Sequence, residues 1–241
     1  MPMRKLNAFL KSFILFLRPG LWLHFLAGLF QLAANTLRLS RWTVTKGKNI
    51  SFNDFYRPSR DYSLRYNLYE HVAKSEGLEQ TPVDYLEFGV AKGLSFQWWI
   101  DKNKNQSSRF FGFDTFEGLP EKWGTFAMGS MSFGVPELND QRHEFFKGLF
   151  QQTLFDFLDS KKLNSANRKI IHLDADLFSS TLFVLTTLHR HLKKGDILIF
   201  DEFNVPNHEF LAFEQYTKSY YVNYEVIGAV NNYFQVAIKL E

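Results

Sequence analysis

Three groups of residues have types and spacing suited to chemistry. The first is a turn, Leu86-Glu87-Phe88-Gly89-Val90-Ala91-Lys92-Gly93, at the end of an apolar run. Glycines at the Gly89 and Gly93 spacing let a backbone turn sharply and approach a ligand, and a helix over 94–100 would present its unpaired N–H groups there. Glu87 in the same turn suits a cofactor carrying an amine and would repel a pyrophosphate. That favours S-adenosylmethionine over a nicotinamide dinucleotide. The glycine spacing alone is a weak signal, because any tight strand–helix turn can show it.

The second group is Phe113-Asp114, with the acid 21 residues after Gly93. An acid at the tip of the next strand is placed to accept hydrogen bonds from ribose hydroxyls; the plainer reading is a solvated strand end. The third is Asp174-Ala175-Asp176 with Asp201-Glu202, at the ends of two further apolar runs. Ligands of open parallel sheets bind beyond the carboxyl ends of the strands, so these four acids are expected on the cofactor's edge. Such a cluster repels itself, and an oxygen-ligated divalent cation such as Mg2+ resolves the repulsion. The cation would act as a Lewis acid on a substrate hydroxyl. The alternative is that some of the acids pair with Lys or Arg or cap helices. His172, leading into this turn, reads either as buried structure or as a substrate contact, with the contact favoured.

The elements that must position these groups alternate. A helix is predicted over Tyr62–Lys74, closed by Gly77. Apolar runs at Val83–Val90, Arg109–Phe116, Lys169–Asp176, Asp196–Phe203, Tyr224–Val230 and Tyr233–Leu240 read as strands, with a helix over Ser179–Leu192. This is the pattern of an α/β, mostly parallel, doubly wound sheet. Only Asn231-Asn232 separates the last two runs, which predicts a tight hairpin and an antiparallel final strand. Residues 122–139 have no clear period and read as a loop or lid.

There is no cysteine among the 241 residues, which excludes disulfides and thiolate chemistry. The net charge of +3 hides a division: residues 1–48 hold eight bases and no acid, leaving 20 bases against 25 acids in the rest. A basic arm on a mildly acidic body argues against a broad nucleic-acid-binding face. Within the arm, an amphipathic run from Leu6 to Leu17 and an apolar run from Leu21 to Ala34 flank the break Arg18-Pro19-Gly20. Neither run reaches the ~20 apolar residues of a spanning helix. Two readings stay open: peripheral contact of residues 1–48 with a membrane surface, or packing on the body or on a second subunit in a homodimer. The expected division is an arm over 1–50 and a catalytic domain over 51–241, located in the cytoplasm or on the inner membrane surface.

The turn Tyr85–Ser95, the segment Gly112-Phe113-Asp114-Thr115-Phe116-Glu117-Gly118-Leu119-Pro120, Lys147–Leu154, and Ile171–Thr181 together resemble the macrocin O-methyltransferase family, with Asp201-Glu202-Phe203 and Tyr233–Ala237 fitting as well. The resemblance covers about residues 60–241. It implies a Rossmann-like class I methyltransferase fold with seven strands and helices on both faces. By that likeness Glu87, Gly89, Gly93 and Ser95 hold the methionine end of S-adenosylmethionine, and Asp114 with Thr115 the ribose. Asp174, Asp201 and Glu202 would form the Mg2+ site, with Asp174 also the base or hydroxyl-orienting group. The implied acceptor is a hydroxyl of a sugar, glycan or glycosylated natural product. Two other readings are a membrane-associated scaffold without activity and a dinucleotide or nucleotide-sugar enzyme.

Overall fold

The computed structural model describes residues 2–48, 50–122, 124–160, 163, 164 and 166–241. Strand β1 (Val83–Phe88) is buried along its whole length. Its alternation sends Val83 and Tyr85 into one core and Leu86 and Phe88 into the other, as a central strand covered on both faces requires. β1 pairs in parallel with β2 (Arg109–Asp114) and β4 (Arg168–Leu173). β2 pairs in parallel with β3 (His143–Lys147), and β4 with β5 (Ile197–Phe200). The last strand, β7 (Gln235–Leu240), runs antiparallel between β5 and β6 (Tyr224–Val230), so the order is β3-β2-β1-β4-β5-β7-β6. This is the seven-stranded, mostly parallel Rossmann-like sheet that was expected.

Helices α3 (Leu64–Ser75) and α4 (Leu94–Lys102) cover the face that carries Tyr85, through Leu68, Tyr69, Phe96 and Trp99. Helices α5 (Phe150–Ser160), α6 (Phe178–Leu188) and α7 (Glu209–Ser219) cover the other, through Phe157, Val184 and Phe213. Three details depart from the sequence reading. β3 was not foreseen, because this edge strand is short and only partly buried and so lacks a strong apolar run. β7 starts at Gln235, not Tyr233, because Asn231, Asn232 and Tyr233 all adopt left-handed backbone and lengthen the turn. α6 ends at Leu188 and passes into a 3-10 turn at His189–His191. The segment between β2 and β3 contains no helix or strand among the described residues, and it folds back on itself through Leu119 N–H to the Ser130 carbonyl and Gly129 N–H to the Leu119 carbonyl.

The amino-terminal arm consists of α1 (Pro2–Leu17) and α2 (Gly20–Thr45), which meet at 110° across Arg18-Pro19. α2 runs well beyond the predicted end at Ala34. Asn35, Leu39 and Trp42 recur on one stripe of its last turns and are buried on the domain. The Trp42 ring lies 4.7 Å from that of Phe203, and its indole N–H donates to the Tyr224 hydroxyl at 2.9 Å. Asn35 donates to Asn207 at 2.9 Å. α1 and the first half of α2 instead leave their large apolar side chains exposed, so the packing of the arm on the domain is confined to the second half of α2. No single helix among the described residues is long and apolar enough to cross a membrane.

Replacing Trp42 by Ala removes both the ring packing and the indole hydrogen bond. The expected loss is about 3–5 kcal/mol of stability, read as a lower urea midpoint with an unchanged slope.

Candidate active site

The parallel strands bring the carboxyl ends of β1, β2, β4 and β5 to one edge, and hydrogen bonds of strand type continue one residue beyond them. Gly89 N–H reaches the Phe113 carbonyl at 2.9 Å, Asp174 N–H the Phe88 carbonyl at 2.9 Å, and Asp201 N–H the Leu173 carbonyl at 3.0 Å. Gly89, Asp174 and Asp201 are thereby held side by side. Gly89 has φ +96, and a Cβ there would lie 1.8 Å from the Asp174 carbonyl oxygen. Gly93, at φ +74, precedes α4 and starts it.

Asp114 does something the sequence reading did not foresee. One carboxylate oxygen accepts Val90 N–H at 2.8 Å and Ala91 N–H at 2.9 Å, and the other accepts Phe116 N–H at 2.7 Å. The acid therefore clamps the glycine turn to the end of β2. Thr115 follows it and donates to the Gly118 carbonyl at 2.6 Å.

Glu87 is fully buried and accepts a short hydrogen bond from the Tyr85 hydroxyl. That hydroxyl is 2.7 Å from His172 Nδ1, and His172 Nε2 is 3.2 Å from the Tyr69 hydroxyl, itself 3.4 Å from Ser95 Oγ. Because the single Tyr85 proton goes to Glu87, His172 Nδ1 is the donor to the Tyr85 oxygen. Burial, with Glu87 nearby, holds the Tyr85 hydroxyl well above its usual pKa, and burial does the same for Tyr69. Both remain protonated donors. His172 is therefore buried structure, contrary to the favoured expectation of a substrate contact. It is fully enclosed on the same sheet face as Tyr85 and Glu87 and lines neither cavity of the site.

The strand-end acids do converge, but not alone. Arg65, on the first turn of α3, reaches Asp201 at 2.9 Å and Asp174 at 3.9 Å. The bland alternative of pairing with a base thus holds for Asp201. Burial raises the Asp174 pKa well above the usual range, with Asp201 and Asp176 adding to the shift and Arg65 opposing it. Burial also pushes Glu202 up to about 11, with the neighbouring Asp176 adding to the shift. Beneath them Glu209, wholly buried at the start of α7, accepts the Glu202 N–H at 2.9 Å. Arg65 and Glu209 were both missed. Arg65 sits in a helix that reads as a packing element, and Glu209 follows the Asp201-Glu202 pair by seven residues with no pattern to tie it to the cluster; only the fold brings them in.

Among the described residues, no group of three or more His, Asp or Glu side chains is gathered into a ready-made metal cage. Two buried oxygens, Asp201 Oδ1 and Glu202 Oε2, nevertheless have no hydrogen-bond partner.

Two cavities open along this edge. The larger, about 530 Å3, is lined by Gly89, Asp114, Thr115, Asp174, Asp201 and Glu202 together with loop residues 118–121. The smaller, about 440 Å3, is lined by Glu87, Lys92 and Ser95. They share Tyr62, Arg65, Ala91 and Asp174. Gly93 lines neither. Volumes of this size suit a small organic ligand.

Residues 86–203 match the model of a methyltransferase-domain family. That span runs from the glycine turn through the strand-end acids. No curated protein matches the chain in a sequence comparison. Among solved structures, the calicheamicin methyltransferase CalS11 is 20% identical, with 86% of this chain and 91% of that chain covered and a TM-score of 0.55. The O-methyltransferase NovP is 19% identical, with 74% and 79% covered and a TM-score of 0.54. An apo structure of CalS11, described as a TDP-rhamnose 3'-O-methyltransferase, gives 20% identity, 86% and 93% coverage and a TM-score of 0.52. The chain has the class I methyltransferase fold these structures share.

Gly89→Ala must both place a side chain at positive φ and displace the Asp174 backbone. The expected result is a loss of more than ~2 kcal/mol in stability and of S-adenosylmethionine binding, checked by thermal unfolding and calorimetry.

Proposed function

We propose that the protein is an S-adenosylmethionine-dependent O-methyltransferase acting on a hydroxyl of a sugar, glycan or glycosylated natural product. The observation that carries this reading is the meeting of the two cavities at Asp174, where a glycine turn with a buried carboxylate adjoins an acidic pocket. The methyltransferase-domain match over this same span supports it. The similarity to a structure described as a TDP-rhamnose 3'-O-methyltransferase supports a sugar as acceptor.

In this reading Glu87 and Ser95 face the amino-acid end of the cofactor from the smaller cavity. Gly89 lets the backbone approach it, Gly93 launches α4, and Thr115 with Asp114 lies on the ribose side. Asp114 acts chiefly by holding the Val90 and Ala91 amides in place, since three backbone donors already occupy its oxygens. When bound, S-adenosylmethionine supplies an electrophilic methyl group. Asp174 stands at the junction, the one carboxylate that lines both cavities. It orients the acceptor hydroxyl and takes its proton as the oxygen–methyl bond forms and the sulfur–methyl bond breaks.

A divalent cation suits the donor chemistry of Asp174, Asp201 and Glu202, because buried oxygens of the last two lack partners and hard oxygen donors favour Mg2+. Bound there, it would lower the pKa of the acceptor hydroxyl. Arg65 already supplies one positive charge at the cluster, so a cation held there would compete with the guanidinium for Asp201.

Titration calorimetry with S-adenosylmethionine alone is expected to show micromolar or tighter binding, and folded protein that gives no heat overturns the reading. With a responsive sugar acceptor in hand, Asp174→Asn is expected to lower kcat by about 10²–10⁴-fold while cofactor affinity is kept. Unchanged turnover would remove Asp174 from the chemistry. Chelation by EDTA is expected to abolish turnover, added Mg2+ to restore it, and cofactor binding to be indifferent to both. Full activity in EDTA would remove the metal.

A further inference from the structure

The arm has a surface for which the rest of the chain provides no cover. In α1, Leu6, Phe9, Leu10, Phe13 and Ile14 form one exposed apolar face, with Arg4, Lys11 and Ser12 on the other side. In α2, Trp22, Phe25 and Phe30 are 71%, 69% and 65% exposed, and Leu21, Leu23 and Leu29 are exposed with them. At about 100° per residue these side chains spread over roughly 200° of the helix circumference. A single packed helix or flat protein face covers a narrower stripe, on the order of 100°, whereas hydrocarbon can surround the whole arc. The segment 20–34 is about 22 Å long at ~1.5 Å per residue, short of the ~30 Å hydrocarbon thickness. The charge is one-sided as well: residues 1–34 carry Arg4, Lys5, Lys11 and Arg18 and no acid.

We infer that α1 and the first half of α2 form a bent, non-spanning anchor that inserts into one leaflet of an anionic lipid bilayer. α1 lies along the interface, with its bases toward the headgroups, and the 110° bend turns α2 into the acyl region. The second half of α2 is a rigid mount. Asn35, Leu39 and Trp42 fasten it to the domain, and Asn35 bonds to Asn207, next to His208. Trp42 packs at 4.7 Å against Phe203, the residue that follows Glu202 of the larger cavity. The mount is therefore fixed beside the wall of the site. Anchoring does not depend on methyl transfer.

The test is co-sedimentation of the full chain with phosphatidylcholine vesicles, with and without phosphatidylglycerol. Binding is expected only, or far more strongly, with the anionic lipid, and is expected to weaken as salt is raised. A Trp22→Glu, Phe25→Glu double variant changes only exposed residues and should unfold like the parent, yet lose at least ~tenfold in vesicle partitioning. Brominated lipid should quench tryptophan fluorescence in the parent and much less in Trp22→Phe. A chain left in the supernatant with anionic vesicles overturns the anchor, as do equal binding by the double variant and quenching unchanged in Trp22→Phe. A vesicle-indifferent dimer that dissociates in the double variant overturns it in favour of a second copy. Failure of cofactor binding with vesicle binding intact would count against the methyltransferase reading alone.

Discussion

The Asp174 carbonyl oxygen occupies the space where any side chain at position 89 would have to begin. That close approach is set by the parallel registry of β1 and β4, which pairs Phe88 with Leu173 and carries the next residues forward together. It is tolerated only because residue 89 is glycine, whose missing Cβ also permits φ +96. Much of the site follows from it. The turn after β1 can then pass over the end of β4, the Val90 and Ala91 amides come within reach of Asp114, and Asp174 is delivered to the junction of both cavities.

The cost of this arrangement is electrostatic. Parallel strands whose ends carry acids bring like charges together in a partly dry edge, and the molecule answers in three ways. Arg65 places a guanidinium between Asp174 and Asp201. Burial raises the pKa of both Asp176 and Glu202, which lessens the charge they bring together. Glu209 is buried as an acceptor of the Glu202 amide, with burial holding its pKa well above the usual range. Acids kept above their ordinary pKa in a cavity are poised for proton exchange or for a cation, which is what perturbed groups at functional sites generally provide. The network Glu87–Tyr85–His172–Tyr69–Ser95 handles its own buried carboxylate differently, by the hydrogen bond from the Tyr85 hydroxyl, which the rest of the chain holds in place.

The arm obeys another rule. Its carboxyl-terminal turns join the domain core through Trp42, while its amino-terminal part keeps its apolar side chains outside any core. A single chain thus combines a packed α/β body with a surface whose composition suits a different solvent.

Much of the body was legible in the sequence because each signal was local. Six of the seven strands announced themselves as apolar runs, and the glycine turn, Asp114 and the paired acids each lay at the end of one. The parallel sheet followed from the alternation of strand and helix, since a crossover must return the chain to the same edge. Tertiary structure alone decided the rest. β3 is an edge strand with too little burial to leave a pattern. Arg65 and Glu209 lie on helices that carry no motif of their own, and only the packing of α3 and α7 against the strand ends brings them to the acids. Asp114 looked free for a ligand because its partners are backbone amides, which leave no trace in residue types. His172 looked like a contact because its neighbours in sequence are site residues, whereas strand alternation turns its side chain into the sheet face. Sequence determines which groups stand at the strand ends; three-dimensional proximity decides which of them remain unpaired.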